Sequence, residues 1–126
     1  YPYFSGFEDE KGEGEGLGCN RNYPLPETIA FELYLKTLDK ALRKIRAFQP
    51  SYLVLCLGLD TAKGDPTGTW PFKGKDYETL GRRIGALGLP TLVVQEGGYY
   101  TRQLGVNARN FFVGLWAGAF PDGGDS

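Results

Sequence analysis

The sequence predicts an α/β protein, a three-layer α/β/α arrangement with a parallel sheet. Two short segments, residues 52–59 and 91–95, are continuously apolar, as is typical of parallel strands covered on both faces. Three further segments carry apolar residues at three- and four-residue spacings, which is typical of amphipathic helices. Strand and helix alternate from residue 52 onward, so helices are expected on both faces of the sheet.

The first helix is predicted over residues 28–48 and should end before Pro50, because the residue preceding a proline is disfavoured in the helical conformation. The second is marked by Tyr77, Leu80, Ile84 and Leu87, and the third by Leu104, Ala108, Phe111 and Leu115. Residues 1–4 are compatible with the end of a strand and residues 20–24 with a brief extended segment. The glycine-rich segments 5–18 and 61–75 predict loops, and residues 121–126 a disordered tail.

Composition excludes several classes of protein. The chain has 126 residues, 41% of them hydrophobic, which predicts one domain or a large piece of one. Fourteen basic against 15 acidic residues give no excess of positive charge, so nucleic acid is not an expected partner. Neither a membrane span nor a signal segment is recognisable, which predicts a cytoplasmic protein. Cys19 and Cys56 are too few for a disulfide scaffold, and Cys56 is expected as a buried thiol.

The chain contains no histidine and no methionine, and it begins at Tyr1. These features suggest a segment of a longer protein. Histidine is the commonest general base near neutral pH and a frequent metal ligand. If the protein is an enzyme, its general base and its histidine ligands must therefore come from residues outside this sequence.

Polar residues and glycines follow both predicted strands. Asp60 comes after the first strand, and Gly97, Gly98 and Tyr99 follow the second. In open α/β sheets, ligands bind beyond the carboxyl ends of the strands, which makes these residues candidates for a site. The alternatives are that Asp60 caps a turn in a glycine-rich loop and that Tyr99 is an ordinary half-buried aromatic residue.

The glycine-rich run 12–18 does not fit a dinucleotide-binding loop, since its glycines are misplaced, no helix follows directly, and Glu13 and Glu15 would repel a pyrophosphate. Residues 8–15 carry five acids and one lysine. This surplus of negative charge suits either a solvated loop or a surface that attracts a polyamine.

Three motifs occur in order along the chain: GEGEGLGCNRNYP at residues 12–24, GLDTAKGDP at 58–66 and QEGGY at 95–99. Together they resemble the histone deacetylase and acetylpolyamine amidohydrolase family, over nearly the whole sequence. The resemblance implies the arginase/deacetylase fold, with residues 1–126 forming the carboxyl-terminal segment of a single catalytic domain. Glu96 before the glycine pair is closer to acetylpolyamine amidohydrolases and to bacterial or class II deacetylases than to class I enzymes.

The resemblance also implies roles for individual residues. Asp60 matches a ligand of the family's divalent metal, usually zinc, and Tyr99 matches the tyrosine that stabilises the oxyanion. Gly97 and Gly98 would let the substrate approach the backbone, and Tyr3 or Phe4 would line the acyl channel. The implied reaction is hydrolysis of an acetylated polyamine or an acetyl-lysine, with the oligomeric state open and a homodimer one option.

The family's Asp-x-His motif and its paired histidines have no counterpart in this sequence. The isolated chain is therefore expected to be inactive even if the protein that contains it is an enzyme. Two alternatives remain, namely a non-catalytic fragment or binding module that keeps only the fold, and a metallohydrolase of guanidino compounds, whose metal motifs are not visible.

Overall fold

A computed structural model describes residues 4–121 of the chain. Within them a two-stranded parallel sheet is accompanied by α-helices and a short 3-10 turn at Gly14–Gly16. The elements in chain order are α1 (Phe31–Phe48), β1 (Leu53–Leu57), α2 (Gly74–Gly85), β2 (Thr91–Gln95) and α3 (Thr101–Ala119). No helix in the described part of the chain is long and apolar enough to cross a membrane.

Helix α1 ends as predicted and begins three residues later than predicted. At its end, Gln49 adopts a left-handed conformation with a φ of 54°, and its backbone N–H donates to the carbonyls of Ile45 and Arg46. At its start, Ala30 is extended and Ile29 is buried. The chain therefore approaches the helix in an extended conformation that places Ile29 in the core.

Strands β1 and β2 pair in parallel, with Leu53 opposite Thr91 and Leu57 opposite Gln95. The pairing continues past the strand ends, since the Leu59 N–H donates to the Gly97 carbonyl at 2.8 Å. The carboxyl ends of both strands consequently lie at the same edge of the sheet, followed by residues 58–73 on one side and 96–100 on the other.

The two faces of this sheet differ in burial. Leu57 is buried and Leu53, Leu55 and Val93 pack against the core that the three helices share. The alternate residues point the other way and are exposed: Val54 and Leu92 at 62% each, Val94, and Cys56. The described residues therefore cover one face only, and the expectation of a buried Cys56 thiol is wrong for the described part of the chain. Both cysteines are free.

Helices α2 and α3 approach each other closely because glycines line their contact. A Cβ on Gly81 would overlap the Phe111 carbonyl, and one on Gly114 would overlap the Glu78 carbonyl. Gly85 and Gly118 meet the opposite helix in the same way, one turn further along. Each helix thus presents two glycines, four residues apart, to the backbone of the other.

An aromatic cluster supports the loop after β1. Phe72 is 1% exposed and makes edge-on contacts with the rings of Phe31, Tyr34 and Tyr77 at centroid distances of 5.1, 5.0 and 6.4 Å. Such pairs contribute about 0.5–1.5 kcal/mol each beyond the area that they bury. The cluster fixes the end of the loop against α1 and the start of α2.

The remaining predictions concern the chain ends and loops. Helix α2 begins at Gly74, inside the predicted loop 61–75, because the Asp76 carboxylate accepts the Lys73 N–H at 2.8 Å and caps the helix there. Segment 5–18 is irregular apart from the 3-10 turn. Tyr1–Tyr3 and most of the predicted tail lie outside the described residues. Phe4 is 95% exposed, so this part of the structure gives no support to its role in an acyl channel.

Candidate functional site

Asp60 and Gly97 meet at the carboxyl edge of the sheet. The Asp60 carboxylate lies so close to the Gly97 backbone that a Cβ at position 97 would be 2.5 Å from Oδ2. On its other side, a Cβ at Gly58 would be 3.0 Å from Oδ1. The carboxylate is therefore held between two glycines, and a side chain at residue 97 would displace it.

The Asp60 carboxylate accepts no hydrogen bond from any described residue, so the alternative that it caps a turn finds no support. It lies in a cavity of about 180 Å³, which Thr61, Thr67, Thr69 and Trp70 also line. An acceptor oxygen left without a donor is suited to a cation or to a donor from elsewhere.

Asp60 can supply one metal ligand, but the described residues do not supply a metal site. Among residues 4–121, no three His, Cys, Asp or Glu side chains lie close enough together to hold a metal ion. A catalytic zinc needs three protein ligands and an open position. The residues present therefore fit such a metal only as one part of its coordination shell.

Gly98 has a φ of 139°, a conformation that residues with a side chain rarely adopt. A Cβ at this position would meet Leu104 at 2.9 Å and Leu59 at 3.0 Å. Two separate constraints, backbone conformation and space, therefore require glycine here, and they direct the chain from β2 into the turn before α3.

Asp65, in the loop after β1, binds the loop after β2. Its Oδ1 accepts hydrogen bonds from the Thr67 N–H at 2.9 Å and the Thr67 hydroxyl at 2.8 Å. Its Oδ2 accepts from the backbone N–H groups of Tyr99 at 2.7 Å and Tyr100 at 3.0 Å. The residue is only 5% exposed. It is thus Asp65, rather than Asp60, that caps the turns at this edge of the sheet.

The ionisation of Asp65 follows from these contacts. Burial on its own raises the pKa of the carboxyl, but the hydrogen bonds from Thr67, Tyr99 and Tyr100 outweigh it and bring the pKa below its usual value. Asp65 is consequently a carboxylate at neutral pH and accepts all four hydrogen bonds.

Tyr99 and Tyr100 present their rings to different surroundings. Tyr99 is 57% exposed. The Tyr100 ring packs on Gly64 and lines a separate cavity of about 430 Å³ with Lys63, Gln103 and Asn107 among its walls. Tyr99 is therefore the more exposed of the two side chains.

Tyr77 lies beneath the loop that carries both aspartates. Its hydroxyl shares a hydrogen bond of 2.9 Å with the Thr61 hydroxyl and donates to the Leu59 carbonyl at 3.4 Å. Burial raises the pKa of Tyr77 to about 12, the bond with Thr61 opposes this, and the nearby Asp60 and Asp65 charges add to it. A neutral Tyr77 thus fixes the chain on either side of Asp60.

The structure brings the sequence-predicted residues Asp60, Gly97, Gly98 and Tyr99 to one edge of the sheet. Sequence reasoning missed Asp65 and Tyr77. For Asp65 a signal was present, because a Gly-Asp-Pro run in a loop beyond a strand end is typical of a tight turn held by the aspartate. The sequence pattern marks Tyr77 only as an apolar position on the second helix.

Two other features lie away from this edge. A cavity of about 580 Å³ lies between the end of α1 and residues 18–21. The basic residues Lys11, Arg21 and Lys44 line it, and no carboxylate among residues 4–121 does. In the acidic segment 8–15, Glu10 binds the Gly6 N–H at 2.6 Å and the Asn22 amide at 2.8 Å. This part of the acidic segment therefore organises its own loop.

The family model and the sequence relatives point to the same protein family. The family model for the histone deacetylase domain matches residues 1–115. Acetylpolyamine amidohydrolase 1 of Pseudomonas aeruginosa is 46% identical over 114 residues, which is 90% of this chain and 33% of that protein. Human histone deacetylase 1 is 32% identical over 105 residues, covering 81% of this chain and 22% of that protein.

Solved structures agree with the sequence relatives. The crystal structure of an acetylpolyamine aminohydrolase from Burkholderia pseudomallei superposes with a TM-score of 0.89 at 46% identity, over 94% of this chain and 34% of that one. The sheet and helices described above are therefore part of the α/β deacetylase fold, as the sequence predicts. The chain spans about a third of the length of the curated relatives that it matches most extensively.

Proposed function

Since this chain belongs to the histone deacetylase domain family, we propose that it is the carboxyl-terminal segment of a metal-dependent amide hydrolase. The substrate class is an acetylated cationic amine, either an acetylpolyamine or an acetyl-lysine side chain. The products are acetate and the free amine. The proposal includes a cytoplasmic location.

One observation carries the proposal. The Asp60 carboxylate lies at the carboxyl edge of the sheet, packed against Gly97 and without a hydrogen-bond donor among residues 4–121. The side chain is only partly buried, so its oxygens are open to water, to a cation or to a donor from another part of the protein. A metal ion held jointly with residues from the rest of the protein satisfies this carboxylate directly.

Each residue of the site has a distinct task in the proposed reaction. Asp60 contributes one carboxylate ligand to the metal, which we propose to be zinc. The bound metal would polarise the acetyl carbonyl and activate water. Tyr99 donates a hydrogen bond from its hydroxyl to the carbonyl oxygen as negative charge develops there. Gly97 and Gly98 leave the substrate room beside the backbone because they carry no side chain.

The metal and proton-transfer chemistry needs residues that this chain does not contain. The chain has no histidine, and the described residues hold no metal-binding group of three side chains. The isolated chain should therefore bind zinc weakly and should not hydrolyse acetylated amines. Metal-dependent turnover by the purified isolated chain would contradict the assigned roles.

The proposal is tested by Asp60→Asn in the full-length protein. This substitution keeps the shape of the side chain and removes its charge, so metal content and turnover of an acetylated amine should fall together. Metal content is measured by elemental analysis and turnover by acetate release. Full metal occupancy with normal turnover would show that Asp60 is not a ligand.

Asp39→Asn is the matched control. Asp39 pairs with Arg83 at 2.7 Å on the surface, between α1 and α2, and surface ion pairs contribute little. The same chemical change there should leave both metal content and turnover intact. If the full-length wild type itself shows neither metal binding nor turnover, the rival interpretation, a binding module that retains only the fold, is favoured.

The substrate is identified by comparing acetylated polyamines with acetyl-lysine peptides on the full-length protein. The relatives include enzymes named for each class. A higher kcat/KM for the small acetylpolyamine would place the protein with the bacterial amidohydrolases, whereas a preference for the peptide would place it with the histone deacetylases.

A further inference from the structure

Asp65 joins the two loops that form the candidate site. It belongs to the loop after β1, which also carries Asp60, and it binds the backbone of the loop after β2, which carries Tyr99. Asp65 and Tyr99 are 34 positions apart in the chain. The carboxylate thus links residues 58–73, the aspartate loop, to residues 96–100, the tyrosine loop.

The loop after β2 depends on hydrogen bonds of this kind to hold its backbone in one conformation. Gly97 and Gly98 precede Tyr99, and two consecutive glycines give the chain more conformational freedom than any other pair. Beyond Tyr99 the helix α3 begins, with Tyr100 as its N-cap residue. Asp65 Oδ2 binds the N–H groups of both tyrosines, which lie between the flexible pair and the rigid helix.

Only an ionised carboxylate meets all the requirements of this position. Four donors point at two oxygens, two from Thr67 and two from the tyrosine loop. An asparagine has one acceptor oxygen and an NH₂ group, so one pair of donors would face another donor. Hydrogen bonds to a charged acceptor are also stronger than those to a neutral one, and a negative charge is favourable near the N-terminus of α3.

We propose that Asp65 is the positioning residue that holds Tyr99 in the geometry in which its hydroxyl reaches the substrate. The inference rests on the function proposed above for Tyr99. It assigns Asp65 no contact with metal or substrate, so its effect on turnover passes through the position of the tyrosine loop.

The first test is Asp65→Asn in the full-length protein, compared with Asp76→Asn. Asp76 also accepts a backbone N–H, that of Lys73 at 2.8 Å, but it lies at the start of α2 and does not contact the tyrosine loop. Asp65→Asn should lower kcat by about tenfold or more and change KM by less than about threefold. Metal content should stay at the wild-type value, and Asp76→Asn should keep the wild-type kcat.

Amide hydrogen exchange measures directly how well the hydrogen bonds to Asp65 protect the Tyr99 and Tyr100 N–H groups. In Asp65→Asn, the amides of Tyr99 and Tyr100 should exchange faster, whereas those of β1 and α2 should keep their protection. If Asp65→Asn does not fold, Asp65→Glu is measured in its place, because it keeps the charge and displaces it by one methylene group. The same loss of kcat and of amide protection is then expected.

A double-mutant cycle separates positioning from a general effect on the fold. If Asp65 acts through Tyr99, then adding Asp65→Asn to Tyr99→Phe should lower kcat by less than about twofold further. Fully multiplicative losses would overturn the proposal, as would wild-type kcat in Asp65→Asn. Unprotected Tyr99 and Tyr100 amides in the wild type would overturn it as well.

The cycle also distinguishes this inference from the proposed function. If Tyr99→Phe alone leaves kcat unchanged, the catalytic assignment of Tyr99 is wrong, and the positioning role falls with it. If Tyr99→Phe abolishes turnover while Asp65→Asn does not affect it, the proposed function stands and only the positioning role is wrong.

Discussion

Tyr99 and Tyr100 are adjacent in the chain, but their rings lie in different surroundings. The Tyr99 side chain is 57% exposed, whereas the Tyr100 ring packs on Gly64. A single hydroxyl separates each tyrosine from phenylalanine. The pair therefore offers a comparison in which packing is retained and one donor is removed.

We expect Tyr99→Phe in the full-length protein to lower kcat by about a hundredfold, because one donor to the developing oxyanion is lost. KM and metal content should change much less, since the ring remains and the hydroxyl acts mainly in the transition state. Steady-state kinetics of acetate release measure the effect. Tyr100→Phe should be nearly silent, and the reverse result would move the catalytic role by one residue.

A second prediction at the residue scale concerns Tyr77 and the stability of the protein at alkaline pH. Its pKa is raised to about 12 in the folded protein from the ordinary value of 10.0. A raised pKa of this kind adds stability that is fully present below about pH 10 and is lost as the pH rises toward about 12. The free energy of unfolding should therefore fall over this interval.

The measurement is chemical denaturation of the wild type and of Tyr77→Phe in the full-length protein. At about pH 8 the wild type should be the more stable, because it keeps the hydrogen bonds to Thr61 and Leu59. The difference should shrink as the pH rises above about 10, where the unfolded tyrosine ionises. A difference that is independent of pH would contradict the assigned cause.

At the scale of elements, the contact between α2 and α3 depends on glycines that have no room for a side chain. We expect Gly114→Ala to destabilise the protein by ~1–3 kcal/mol, because a methyl group there would overlap the Glu78 carbonyl. Chemical denaturation measures the change. An unchanged stability would show that the two helices can separate without cost.

Gly105 provides the control on the same helix. A Cβ at this position meets no atom within 4 Å. Gly105→Ala should therefore stabilise the protein by about 0.5–1 kcal/mol, through the better helix propensity of alanine. The opposite signs of the two variants distinguish crowding from propensity.

Local patterns predicted the elements, and they could not predict the contacts between distant residues. The apolar run 91–95 coincides with β2, and Pro50 correctly placed the end of α1. By contrast, two of the four hydrogen bonds of Asp65 come from residues 34 and 35 positions away. The glycines of α2 and α3 carry no signal of their partners either, since a helical glycine in a sequence indicates only low propensity.

At the scale of the whole molecule, we propose that further residues of the full-length protein pack on the open face of the sheet. Val54, Cys56, Leu92 and Val94 are exposed on that face, and the chain spans about a third of its relatives' length. Contiguous exposed apolar surface usually marks a contact. We expect the rest of the catalytic domain to cover it.

The thiol of Cys56 reports on this contact. In the native full-length protein, Cys56 should react with a thiol reagent much more slowly than in the denatured protein, because covered thiols are inaccessible. Peptide mass spectrometry after labelling measures the rate at this residue separately from Cys19. Equal rates in the native and denatured states would show that this face stays open.

The glycine contact between α2 and α3 limits which sequence changes can compensate one another. In most cores a larger residue on one element is accommodated by a smaller one opposite. Here Gly81 and Gly114 face backbone carbonyls, and no residue is smaller than glycine. Any added bulk must therefore be accommodated by moving the helices apart. Because α3 begins directly after Tyr99 and Tyr100, we expect such a movement to reach the tyrosine loop, so that bulk added in the middle of α3 would change the position of the Tyr99 hydroxyl.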